Sequence, residues 1–261
     1  MSKLIKIIKV KILGFIYSYL LLFLFRNIKS YKVLFGELKG YTLYSSVVFN
    51  QIFGGYEKNV ENFLKKELNK NSVVIDIGAY NGYTGFLCDK ILQSKGSLDH
   101  MVFLVEANKS LFDNILKAKK INKAKNTLPL NLFITAEPTL KPSFYVDGSE
   151  MVQIDKSIYP LEGNQSTNYV DIEELINMVK IQYNRIPNTL IMDIEGFEYE
   201  IIKNKLEILI RYFKIIVIEY HSEKIFNLIM QGFKNLDCFY EHRTINDTIY
   251  NGHFFIRNQT N

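Results

Sequence analysis

Two rhythms of apolar residues alternate along this chain. Short unbroken apolar runs at Ser72–Ile77, Met101–Val105, Thr189–Asp193 and Phe213–Ile218 read as strands buried on both faces of a sheet. Between them, apolar residues recur at spacings of three and four. Val60, Phe63, Leu64 and Leu68 share one face of a helix over residues 57–68. Further helices are predicted over 82–92, 109–121 and 198–210, and near 223–230. Asp171 with Glu174 forms a capping-box start ahead of Ile172, Leu175, Ile176 and Val179. A third strand is expected at Leu130–Ile134 and a short one at Ser143–Val146, whereas residues 151–168 have no period and read as a loop. Asp237–His242 and Asn251–Ile256, separated by turn-prone residues, read as an antiparallel hairpin.

Strands alternating with helices imply right-handed crossovers and a single, mainly parallel sheet with helices on both faces. A chain of 261 residues is long enough for one large domain plus a short appendage, and the pattern divides it at residue 50. Residues 1–50 form a basic and apolar helical segment, and residues 51–261 form the α/β domain. Cys88 and Cys238 lie far apart, with no C-x-x-C pair, so a zinc ribbon or redox dithiol is excluded.

The net charge of +5 is unevenly distributed. Residues 1–36 carry seven basic residues and no acid, which leaves about −2 for the rest of the chain. A nucleic-acid enzyme spreads its basic residues over its body, so no nucleic-acid partner is expected. The apolar run 12–25 is short for a membrane span, and no small-x-small cleavage site follows it. Lysines flanking Tyr, Phe and Leu suit a helix on an anionic membrane surface, which would place the protein in the cytoplasm against the inner membrane. A helix packed on the domain's own core fits the same composition equally well.

The first domain strand runs into Asp76-Ile77-Gly78-Ala79-Tyr80-Asn81-Gly82. Tyr80 and Tyr83 stand where a dinucleotide fingerprint needs its second and third glycines, and no Walker lysine follows. An acid at the strand end can hold an ammonium group, and Gly78 permits close backbone approach. Glu106, which follows the second strand, can accept ribose hydroxyls.

Together with Gly55–Glu57, Val105–Asn108, Val170-Asp171, Leu190–Glu198 and Ile218–His221, this loop resembles the FkbM family of methyltransferases, over about residues 55–256. Met192 and Asn108 depart from the family's usual Lys and Pro, and Thr135–Pro138 lacks its usual Ala-x-x-Asp run. The resemblance implies a Rossmann-like class I methyltransferase with a seven-stranded sheet and a C-terminal antiparallel hairpin. It also implies methyl transfer from S-adenosylmethionine to a hydroxyl of a sugar, glycolipid or natural product, the acceptor being a small molecule or glycan. Asp76, Gly78, Ala79, Asn81 and Gly82 would then shape the methionine end of the cofactor site, Glu106 would hold the ribose, and Glu57 would lie nearby. A scaffold that keeps the fold without catalysis is the alternative, although it has no need of acids at four strand ends.

Asp193 and Glu219 close the fourth and fifth strands and point into the ligand crevice; Glu195 and His221 follow each by two residues. His221 or Asp193 is the expected base, with Glu219 orienting it or the acceptor. A divalent cation on Asp193, Glu219 and Glu195 is the other option. Glu198 is read as a helix-start acid, and His100, His242 and His253 as residues without a visible partner. Deleting residues 1–30 and measuring co-sedimentation with anionic vesicles separates the two readings of the N-terminal segment. The membrane reading predicts that binding is lost, and unchanged partitioning eliminates it.

Overall fold

The structure is a computed structural model that describes residues 29–45, 48–136, 145–146, 152–153, 168–245 and 248–258. The apolar segment 12–25 and most of the loop 151–168 lie outside the described residues. Its early elements are β1 (Tyr31–Lys32), β2 (Thr42–Leu43), α1 (Phe49–Ile52), α2 (Lys58–Glu67), β3 (Val73–Ile77), α3 (Tyr83–Ser94), β4 (Met101–Val105) and α4 (Lys109–Asn122). There follow β5 (Thr127–Leu130), β6 (Leu132–Thr135), β7 (Tyr145–Val146), β8 (Val152–Gln153), β9 (Asn168–Asp171), α5 (Ile172–Tyr183) and β10 (Thr189–Met192). The last are α6 (Glu198–Tyr212), β11 (Ile215–Tyr220), α7 (Glu223–Gly232), β12 (Asp237–Ile245) and β13 (Thr248–Arg257).

Seven strands form one sheet in the order β12-β13-β11-β10-β3-β4-β5. β5, β4, β3, β10 and β11 pair in parallel, and β13 runs antiparallel between β11 and β12. This is the class I methyltransferase arrangement, with the expected hairpin at its end. The unbroken apolar runs have a physical cause, because successive residues serve opposite layers. Ile75, Phe103, Leu190, Met192 and Ile216 pack beneath α5, α6 and α7. Val74, Val102, Leu104, Ile191 and Val217 pack beneath α2, α3 and α4.

Asp171 and Glu174 make the reciprocal bonds of a capping box, at 2.7 and 2.9 Å. The third strand differs from expectation. Leu130–Ile134 is not one strand, because Asn131 turns inward and its Nδ2 donates to the carbonyls of Glu106 (2.8 Å) and Ala107 (3.0 Å). The chain bends there. Residues 127–130 complete the main sheet, and 132–135 pair in parallel with β9. Tyr31, Val33, Leu38, Tyr41 and Leu43 are buried in the layer of α2, α3 and α4, so the packed body begins before residue 51. Asn122 clasps Thr42 through both its amide oxygen and its amide nitrogen, each at 2.8 Å. Both cysteines are free, and among the described residues no helix is long and apolar enough to cross a membrane.

The chain builds outward from β3 through β4 to β5, then returns to place β10 on the other side of β3. Strand order therefore reverses between β3 and β10, where a ligand crevice opens at the carboxyl ends of the strands. There Gly78, at φ +82°, lies so close to β10 that a β-carbon would come within 1.6 Å of the Asp193 carbonyl oxygen. Gly78→Ala is expected to cost about 3 kcal/mol or more, through overlap with backbone that cannot yield and a forced left-handed conformation. Gly40, at φ +93° with open space around it, should cost only about 1–2 kcal/mol on the same change. Denaturant unfolding of the two variants checks this, and equal losses would contradict the account.

Candidate active site

The loop after β3 is tied down from beneath. The amides of Gly78 and Ala79 both donate to the Val105 carbonyl (3.0 and 3.1 Å), and the Gly82 amide closes a turn onto the Ala79 carbonyl (2.7 Å). Gly82, at φ +84°, starts α3, and a β-carbon there would strike the Phe86 ring at 2.6 Å. Glu106 fixes the outer side of the loop: one oxygen accepts from the Tyr80 amide and the other from the Asn108 amide, each at 2.8 Å. Asn81 turns inward. Its Nδ2 donates to Gln51 (2.7 Å), Tyr31 (3.0 Å) and Ser45 (3.1 Å), and its Oδ1 accepts from the Tyr83 amide at 3.1 Å.

Above this loop a cleft encloses about 450 Å³, its open mouth included. Glu57, Asp76, Asp193 and Glu219 all line it, together with Tyr56, Tyr80, Tyr83 and His253, and among the described residues the lining holds no Lys or Arg. Three non-glycine residues of this region take left-handed backbone: Glu57 (φ 43°), Tyr80 (φ 50°) and Glu195 (φ 52°). Two other such residues, Lys123 and Asn184, merely end helices. Backbone strain therefore collects where the carboxylates do, as it does at sites whose geometry is over-determined.

His221 stands beside the cleft rather than in its lining. Its Nε2 lies 3.4 Å from Asp193 and 3.6 Å from Glu195, and its Nδ1 lies 3.4 Å from Glu198. Glu195 reaches this position through its left-handed backbone, not through an extended strand as the spacing suggested. Glu198 is fully buried and folds back to accept from the Ile194 and Gly196 amides, both at 2.7 Å. It locks the turn that presents Asp193 and Glu195. On the opposite side, the sheet register sets His253 across from Glu219, with Nε2 3.6 Å from Glu219 and 4.0 Å from Glu57.

Burial raises the Asp76 carboxyl to about 7, helped by the charges of Glu57 and Glu106 against a Gly85 amide. Burial also raises Glu106 to about 7, although the amides of Asn108, Tyr80 and Ala107 oppose it. Asp193 is pushed well up by burial and by Glu219, Glu57, Glu198 and Glu195. Glu195 rises through burial, with His221 partly offsetting. Burial pulls His221 down, and the neighbouring Glu198, Glu195 and Glu219 more than reverse this, so it ends above its ordinary value. A wall rich in acids suits a cation, and S-adenosylmethionine carries a sulfonium and an ammonium. Asp76 fits that role: it is 3 % exposed, and its Oδ2 is buried with no hydrogen-bond partner among the described residues.

Of the residues singled out in the sequence, Glu57, Asp76, Gly78, Ala79, Asn81, Asp193 and Glu219 line the cleft. Gly82 shapes the loop from below, Glu106 braces it, and Glu195 and His221 sit at its side. Tyr80 and Tyr83 line the cleft, Tyr220 is buried in the core, and Tyr199 packs under Lys224. His100 is buried against Asp89 at 2.7 Å, and the His242 side chain lies outside the described residues. Tyr56 and His253 were missed. A visible signal for His253 was its place on a strand two residues before the buried Phe255, opposite the acid-bearing end of β11.

The family model for the methyltransferase FkbM domain matches residues 76–245, more than half of the chain. No curated protein matches it significantly. Among solved structures, the chain is similar to an FkbM methyltransferase from Methylobacillus flagellatus KT. The TM-score is 0.47 at 12% identity, covering 73% of this chain and 44% of that one. It is also similar to precorrin-6y C5,15-methyltransferase from Geobacter metallireducens GS-15 (TM-score 0.45, 11% identity, 83% of this chain and 94% of that one). A third is M. jannaschii TYW2 in complex with AdoMet (TM-score 0.47, 14% identity, 84% and 82%).

The raised carboxyls have a consequence for stability. Between about pH 4 and about 7 the folded protein holds protons on Asp76 and Glu106 that the unfolded chain has released, so its unfolding free energy falls as pH rises. His221, raised as well, adds to the fall above its ordinary value. Asp171 and Glu61 are shifted downward and act only at more acid pH. Denaturant unfolding should therefore find the ligand-free protein more stable near pH 5 than near pH 7.5, with a smaller difference in Asp76→Asn. A rise in stability over that interval, or an unchanged slope in the variant, contradicts the assignment.

Proposed function

Because the chain belongs to the FkbM family of S-adenosylmethionine-dependent methyltransferases, we propose that it methylates a hydroxyl of a sugar, glycolipid or natural product. The observation that carries this reading is the convergence of four carboxylates on one cleft at the reversal of strand order, with His221 poised at its side. S-adenosylmethionine supplies a methyl group already activated on a sulfonium. What the protein contributes is alignment, exclusion of water, and a place for the acceptor's proton.

Asp76 complements the positive end of the cofactor, and the bonded turn at Gly78–Gly82 lets backbone come close without a side chain in the way. The Glu106 carboxylate accepts from the Tyr80, Asn108 and Ala107 amides and keeps lone-pair capacity for a ribose hydroxyl. Tyr56 and Tyr83, edge to face at 5.3 Å, wall the cleft against solvent. A sugar hydroxyl is a weak nucleophile until its proton has an acceptor. His221 takes that proton, with Glu198, Glu195 and Glu219 raising its basicity and stabilising the imidazolium that forms. Glu219 orients the acceptor. The near-neutral body argues for a small-molecule or glycan acceptor rather than a nucleic acid, and the basic residues 1–30 would hold the enzyme at the inner membrane surface.

Transfer of an isotopically labelled methyl group to a panel of glycans and glycolipids tests the reaction. The expected product carries the label on oxygen, and His221→Ala and Asp193→Asn should each lower kcat by about a hundredfold or more. Label on nitrogen or carbon, or normal turnover by both variants, sinks the proposal.

A further inference from the structure

Gln51, on α1, is a polar residue of the cleft lining that the transfer scheme leaves unused, and it is 1% exposed. A chain of hydrogen bonds fixes which way its amide faces. The Tyr83 amide donates to the Asn81 side chain at 3.1 Å, so the atom that accepts is the Asn81 oxygen and the other end is Nδ2. Nδ2 in turn donates to Gln51 at 2.7 Å, and only an oxygen can accept there. The Tyr31 hydroxyl donates to the same Gln51 Oε1.

Both lone pairs of Oε1 are thereby occupied. The Gln51 Nε2 group, by contrast, makes no hydrogen bond with a described residue. A buried N–H pair without a partner is costly until a ligand supplies the acceptor. The backbone offers a second donor beside it. Within residues 78–83, the amides of Gly78, Ala79, Tyr80, Gly82 and Tyr83 are all spent on acceptors of the protein itself. The Asn81 amide makes no hydrogen bond among the described residues, and Asn81 lines the cleft as Gln51 does.

The cofactor brings an acceptor to this place. S-adenosylmethionine carries a carboxylate on the same carbon as its ammonium, so a cleft that holds the ammonium at Asp76 must also accommodate a carboxylate close by. Among the described residues the lining has no Lys or Arg to receive it, and the acids there repel it. N–H donors without a formal charge meet that need, because each bond they make to a carboxylate is charge-assisted. They do so without neutralising the acids that face the sulfonium and the ammonium.

We infer that Gln51 binds the carboxylate of the cofactor through Nε2, with the Asn81 amide as a second donor. The Tyr31 hydroxyl and the Asn81 side chain are positioning groups that hold Gln51 Oε1 and so present Nε2. The inference rests on S-adenosylmethionine occupying the cleft. It also gives a task to chain that precedes the matched methyltransferase domain, which begins at residue 76. Tyr31 on β1 and Gln51 on α1 complete the cofactor site from outside that span.

Calorimetric titration of the full chain with S-adenosylmethionine and with decarboxylated S-adenosylmethionine, which keeps the sulfonium and the ammonium, tests this. Gln51→Glu retains an oxygen for Tyr31 and Asn81 and replaces the donor nitrogen by a second oxygen. Gln51→Leu removes the donor without adding charge. In both variants the preference for S-adenosylmethionine over the decarboxylated compound should fall about tenfold or more from its wild-type value. Binding of the decarboxylated compound and thermal unfolding of the same samples show that each variant is folded. A preference that stays at the wild-type value in either variant overturns the inference, and this includes a parallel loss of both affinities, which marks a purely structural role. A wild type that binds neither compound contradicts the cofactor reading itself, and the inference falls with it.

Discussion

The contact on which the rest depends is the backbone approach of Gly78 to the carbonyl of Asp193. No side chain fits between the ends of β3 and β10, since even a β-carbon at Gly78 would sit 1.6 Å from that oxygen. The contact joins the two halves of the sheet where strand order reverses, and it brings the cofactor loop and the reacting acids together. The Val105 carbonyl holds the loop from one side by accepting from two amides, and the Ile77 carbonyl holds Asp193 from the other by accepting from its amide at 3.0 Å. The crevice is thus fixed by main chain, and side chains are free to be chosen for chemistry.

What was chosen is negative charge, at a cost to the ligand-free fold. Asp76, Glu106 and Asp193 are all raised by burial, and the cluster is crowded enough that neighbouring carboxylates add to the effect. A protein built for stability alone would place apolar groups or an ion pair there. Strained backbone at Glu57, Tyr80 and Glu195 reinforces the point, because each holds a group in or beside the cleft in a conformation that L-residues rarely adopt. A positively charged ligand reverses the penalty.

The sequence exposed the scaffold more fully than the site. Buried strands betray themselves by unbroken apolar runs, so β3, β4, β10 and β11 were legible to within a few residues. The capping box at Asp171 was legible because it is a local signal spanning four residues. The division of Leu130–Thr135 was not, since it depends on Asn131 reaching carbonyls 24 and 25 residues away. Asp193 and Glu219 could be placed because each closes a strand. His253 could not, because its meeting with Glu219 follows from the antiparallel register of β11 and β13, which α7 and β12 separate in sequence. Glu195 reached its expected neighbour by a backbone conformation that spacing alone does not reveal.

The account stands on one claim: the acid-lined cleft between β3 and β10 binds the S-adenosylmethionine cation. Isothermal titration calorimetry of the full chain with S-adenosylmethionine measures it most directly. One molecule should bind per chain, and Asp76→Asn and Glu106→Ala should each weaken binding by about tenfold or more, equivalent to about 1.4 kcal/mol. Absence of binding, or an affinity that neither substitution changes, would contradict it.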